Sequence, residues 1–118
     1  MNQSDQGADI RLALLSYIEE DVHVVYSPAL DLYGYGNDEF EARSSFAITL
    51  EEYLSYTTKE NTLLADLRRL GWFVDPQTHT VAVPLWTSLL TGNEHLTDIV
   101  TNRPFKKFDQ PAHIPAFA

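Results

Sequence analysis

Two strand-patterned runs separated by only three polar residues constrain this chain more than any other feature. Between residues 10 and 20, Ile10, Leu12, Leu14 and Ile18 share one face of a period-2 pattern. Between residues 22 and 26, Val22, Val24 and Tyr26 take one face and His23 and Val25 the other. A link as short as Glu19-Glu20-Asp21 leaves room only for an antiparallel hairpin, although it lacks the Asn-Gly signature of a tight turn. His23, between valines, reads as a strand-face residue.

Ser27-Pro28 interrupts the ladder, because proline has no N–H to donate. A third short strand is expected over residues 29–35, with Leu30 and Leu32 on one face. Gly34 and Gly36, free to take positive φ, end it. Asn37 is then the expected N-cap of a helix whose first turn carries Asp38, Glu39 and Glu41, acids suited to the positive end of the dipole. Ala42, Phe46, Leu50, Tyr53 and Leu54 form its core stripe. Thr57-Thr58 predict a break, followed by a second helix over residues 59–70 with Leu63, Leu64, Leu67 and Leu70 inward and Gly71 as its C′ residue.

Downstream, Asp75-Pro76-Gln77-Thr78 reads as the turn of a second hairpin. A short helix is expected over residues 84–90, and Asn93 caps another carrying Leu96, Ile99 and Val100. Arg103-Pro104 closes that region, and the tail from residue 105 to 117 suits an edge strand. The fold class is α+β: a small antiparallel sheet packed against helices. Residues 1–8 read as a disordered lead-in, 9–71 as the β-β-β-α(α) region, and 72–118 as an extension packed on the same domain.

A chain of 118 residues can bury a core without staples. With no cysteine, disulfides and thiolate metal sites are excluded. No apolar run is long enough to span a membrane, and the N-terminus lacks a signal-peptide pattern, so a cytoplasmic location is expected. The net charge of −9 is unevenly placed: residues 1–62 hold 12 acids against Arg11, Arg43 and Lys59, while the remainder is balanced. Phosphate backbones repel such a surface, so direct nucleic-acid binding is not expected. A basic protein would be steered toward it, although acidity also serves plain solubility.

Catalytic motifs are absent from the sequence. His23, His79, His95 and His113 show no metal-ligand spacing. Tyr33-Gly34-Tyr35-Gly36 is followed by acids where a phosphate loop needs a lysine. There is no G-x-S-x-G elbow. Asp9, Glu19 and Asp31, near strand ends, are the one carboxylate set that a metal-dependent nuclease would use, against the simpler reading of solvated edge charges. Tyr26, Tyr33 and Tyr35 either pack in the sheet or form an interface centre.

The order of elements resembles the HicB-type antitoxin domain. The resemblance is carried by Val24-Val25-Tyr26-Ser27-Pro28-Ala29-Leu30, by Gly34 with Gly36, and by Glu41-Ala42, and it covers about residues 10–57. It implies a partial RNase H-like sheet without nuclease activity, and a small basic HicA-type RNA-cleaving toxin as partner. The family commonly adds a C-terminal DNA-binding module; residues 72–118 show none, and the expectation instead is that this segment completes a larger domain or builds a homodimer. The reading is therefore non-enzymatic, with no cofactor or metal. Its partner-binding candidates are Tyr26, Asp31, Tyr33, Tyr35, Glu39 and Glu51. An orphan homo-oligomeric module and an RNase H-like nuclease are the alternatives.

Overall fold

Residues 7–116 are described by a computed structural model. A four-stranded antiparallel sheet, in the order β3-β2-β1-β6, lies between two helical layers. Its first three strands are β1 (Ala8–Glu19), β2 (Val22–Ser27) and β3 (Leu32–Gly36), a meander. Helices α1 (Glu39–Lys59) and α2 (Leu63–Arg69) follow, then a separate hairpin of β4 (Phe73–Asp75) and β5 (Thr80–Ala82). Helices α3 (Trp86–Gly92) and α4 (Glu94–Asn102) lead into β6 (Phe105–Ile114). β6 runs beside β1 from Tyr17↔Phe105 to Ala8↔Ile114, so the 72–118 segment supplies the fourth strand. Pro111 sits on this edge strand, where a missing N–H is tolerated.

The mixed α+β class agrees with the sequence patterning. The β1–β2 link is a two-residue turn: Glu19 pairs with Val22, and Glu20 and Asp21 both adopt positive φ, 50° and 66°. That is the sign pattern of a type I′ turn, built here from residues that fit it poorly. The lead-in expected over residues 1–8 lies mostly outside the described residues, but Ala8 already opens β1.

Period-2 alternation divides the sheet between two cores. Leu12, Leu14 and Val25 face α1 and pack with Ala42, Phe46 and Leu54. Leu15, Tyr17, Val24 and Tyr26 face the other way and pack under Leu96 and Ile99 of α4.

Four local expectations are corrected. The third strand begins at Leu32, not residue 29, because a hairpin loop intervenes: the Asp31 N–H bonds the Ser27 carbonyl at 2.7 Å and Asp31 takes φ 56°. Gly34 and Gly36 do not need positive φ; they are ordinary strand residues whose missing Cβ admits α1. A Cβ on Gly34 would lie 2.3 Å from Phe46 N and 2.4 Å from the Ala42 carbonyl oxygen. The N-cap is Asp38, which accepts from Glu41 N–H, while the Glu41 side chain bonds back to Asn37 N–H at 2.8 Å. Thr57 does not break α1, because its hydroxyl bonds the Tyr53 carbonyl at 2.8 Å inside the helix. The break comes at Asn61, φ 62°, in a Schellman turn with Thr62 N–H on the Thr57 carbonyl. Gly71, φ 93°, ends α2 in the same way, as its C′ position predicts.

Candidate protein-interaction surface

The sequence Tyr33-Gly34-Tyr35-Gly36 places its glycines against α1 and its tyrosines on the opposite face. There the rings of Tyr26, Tyr33 and Tyr35 stand in a row. Tyr26 and Tyr33 are cross-strand partners with centroids 4.5 Å apart, and Tyr33 and Tyr35 are parallel within 5° at 6.0 Å. His95, on the first turn of α4, meets Tyr26 edge-on at 5.2 Å.

The row runs from core to solvent. Tyr26 is 1% exposed, Tyr33 half-buried and Tyr35 56% exposed. As a contact residue Tyr26 is therefore corrected: α4 covers it, and it supports Tyr33 from beneath. Its hydroxyl accepts from Asn93 Nδ2 at 2.9 Å and donates to Asp31 Oδ1 at 3.4 Å. Asn93 also caps α4 by accepting from Leu96 N–H, so one side chain ties the helix start to the tyrosine row.

Burial raises the phenol pKa values of Tyr26 and Tyr33, and pushes Tyr17 to about 12. These groups stay neutral around pH 7, so the surface is aromatic and hydrogen-bonding rather than anionic at its centre. Val22 is the exposed apolar neighbour on this face, beside the Glu20-Asp21 turn. Asp31 is exposed at the far side.

Glu39 and Glu51 do not join this surface. Both are on α1, across the sheet. Glu39 gathers Lys106 Nζ at 2.7 Å, Arg43 Nη2 at 3.1 Å and the Ser16 hydroxyl at 3.3 Å, binding α1 to β1 and β6. The bond from Lys106 lowers its carboxyl pKa most. Glu51 borders an apolar groove between α1 and β6, roughly 260 Å³, floored by Leu14, Leu50, Leu54, Phe108 and Ala112. Arg43 lies over the Phe108 ring at 3.9 Å at its edge. No sequence signal pointed to this groove, since its walls are 60 residues apart in the chain.

The three carboxylates of the nuclease reading are not brought together. Asp9 and Glu19 lie at opposite ends of β1, about 33 Å apart at strand rise, and Asp9 pairs with His113 at 2.8 Å. Among the described residues, five of the eight bases of the sequence are held in ion pairs: Arg43 and Lys106 by Glu39, Arg69 by Asp66, Arg103 by Glu19, and Lys107 by Asp109. Only four of the 17 acids are used in doing so. No helix among the described residues is long and apolar enough to cross a membrane. No family model, no curated protein and no solved structure matches the chain.

Proposed function

We propose that this protein is a non-enzymatic, HicB-like binder that occludes a small basic protein, a HicA-type RNA-cleaving toxin, in the manner of an antitoxin. The observation that carries the reading is the pairing of an open aromatic surface with unspent acids. Tyr35 offers an open ring face on a rigid strand, backed by Tyr33, with Val22 beside it and Glu20, Asp21 and Asp31 around it. Arginine and lysine side chains are what such a surface receives: cations stack on tyrosine faces, and carboxylates at the rim steer them in. Partial burial fixes Tyr33, so little side-chain entropy is lost on contact.

The test mixes the purified protein with the small basic product encoded beside its gene, and follows association by stopped-flow or biolayer interferometry. A 1:1 complex is expected, with an association rate that falls at least about tenfold as salt is raised through the physiological range. Tyr35→Ala is expected to weaken it by about tenfold or more. No complex, or one indifferent to both salt and Tyr35→Ala, overturns the reading.

A further inference from the structure

The groove face of α1 carries a pattern that is its own complement. Phe40, Arg43, Ala47, Glu51 and Leu54 follow one another at intervals of 3, 4, 4 and 3 residues. Those steps keep them on a single strip of the helix. Arg43, Ala47, Glu51 and Leu54 border the groove, and Phe40 stands one turn ahead of Arg43, 77% exposed. The strip is symmetric in kind about Ala47: apolar residues at minus and plus seven, opposite charges at minus and plus four, and a small side chain at the centre.

We infer that this strip is the interface of a homodimer, in which α1 of one copy packs antiparallel against α1 of another with the two-fold axis at Ala47. An antiparallel pair centred there sets each residue opposite the one equally far on the other side. Arg43 then faces the second copy's Glu51, and Phe40 enters the apolar end of its groove, where Leu54, a core residue only 9% exposed, forms part of the lining. A two-fold contact requires this kind of self-complementarity. Ala47 lets the backbones approach as closely as ridges-into-grooves packing needs.

Charge selects a second copy over other occupants. The protein carries −9 overall, and most of its surface would repel itself. This strip is where the signs balance. Arg43 uses its Nε and Nη2 on Glu39 and keeps further N–H donors for a second carboxylate. Glu51 is exposed and makes no ion pair among the described residues. The interface lies on the opposite sheet face from Tyr33 and Tyr35, so a dimer leaves both tyrosine surfaces open, and the inference stands whether or not a basic protein binds there.

Sedimentation velocity on the full chain tests it. The wild type is expected to convert from monomer to dimer as concentration is raised through about the micromolar range. Glu51→Arg alone sets two arginine pairs face to face, and Arg43→Glu alone sets two glutamate pairs. Each is expected to weaken self-association at least about tenfold. An equimolar mixture of the two restores every opposite-charge pair and is expected to dimerise like the wild type. Phe40→Ala, at an exposed position that leaves folding intact, is expected to weaken the dimer by about tenfold as well. A wild type that stays monomeric overturns the inference, as does a dimer that Phe40→Ala leaves untouched or a mixture that fails to associate while both variants are folded by circular dichroism.

Discussion

Replacing Gly34 by alanine tests the closest approach of the sheet to α1. The added Cβ would sit 2.3 Å from Phe46 N, 2.4 Å from the Ala42 carbonyl oxygen and 2.6 Å from Phe46 Cα. Carbon contacts settle at about 3.5–4.0 Å, so roughly 1 Å of separation must be found. All three opposing atoms are backbone, and no rotamer change relieves them. Either α1 lifts from β3 or the strand bows away. Lifting α1 loosens Ala42 and Phe46, both at the heart of the core. A radial gap of about 0.5–1 Å forfeits a quarter to a half of each contact's attraction. Overpacking of this kind costs about 1–3 kcal/mol, and the rigidity of both partners puts Gly34→Ala near the top of that range. The alanine recovers about 0.5–1 kcal/mol by stiffening the unfolded chain. The expected net loss is about 2–2.5 kcal/mol, or about 8–10 °C in Tm at about 4 °C per kcal/mol for a domain of this size. Urea unfolding monitored by circular dichroism measures it, with Gly92→Ala as control, since a Cβ there has nothing within 4 Å. Equal midpoints for Gly34→Ala and Gly92→Ala would refute the claim that YGYG is a helix-docking device.

Asn93→Ala removes a cap and the shorter hydrogen bond to the Tyr26 hydroxyl together; a loss of about 2–3 kcal/mol is expected by chemical denaturation, against about 1 kcal/mol for Tyr26→Phe. The β1–β2 turn carries two non-glycine residues at positive φ, so the double change Glu20→Asn, Asp21→Gly is expected to stabilise by about 1 kcal/mol, read as a rise in Tm. Glu39 has a folded pKa below its unfolded value, chiefly through Lys106. Its contribution is therefore complete above the unfolded carboxylate pKa of about 4.3 and is lost as pH falls through the lower folded value. The stability gap between wild type and Glu39→Gln, measured from pH 7 down to about 2.5, should close on the acid side and stay constant above about pH 5.

Much of the fold is written locally. Alternation in β1 and β2, Asn93 before Leu96, and Gly71 after Leu70 each act through their nearest neighbours, and each falls where its pattern points. The misreadings share a cause. Gly34 and Gly36 carry the same local signal whether a turn or a close helix demands them, and only the arrival of Ala42 and Phe46 decides which. Thr57 is a weak helix former by propensity, yet a bond to its own helix and the burial of its side chain outweigh that. Tyr26 read as a surface residue because the helix that covers it begins 68 positions later, at Glu94. Glu39 and Glu51 grouped with the tyrosines by proximity in the chain, but a strand and the helix after it can face opposite sides of a sheet.

That opposition gives the short segment from Tyr33 to Leu54 its logic. In β3, every second residue is glycine so that α1 can lie flat on one face, and every second residue is tyrosine so that the other face presents rings. The helix so admitted then shows its own outer strip, with Arg43 held in place by Glu39 and Phe108. The two surfaces are mechanically linked, because moving α1 off Gly34 moves the backbone that carries both Tyr35 and Ala47: the Tyr35 amide donates to Ser45 Oγ on α1 at 3.1 Å. A change at Gly34 is therefore expected to disturb self-association and partner binding together, whereas Phe40→Ala should touch only the first and Tyr35→Ala only the second.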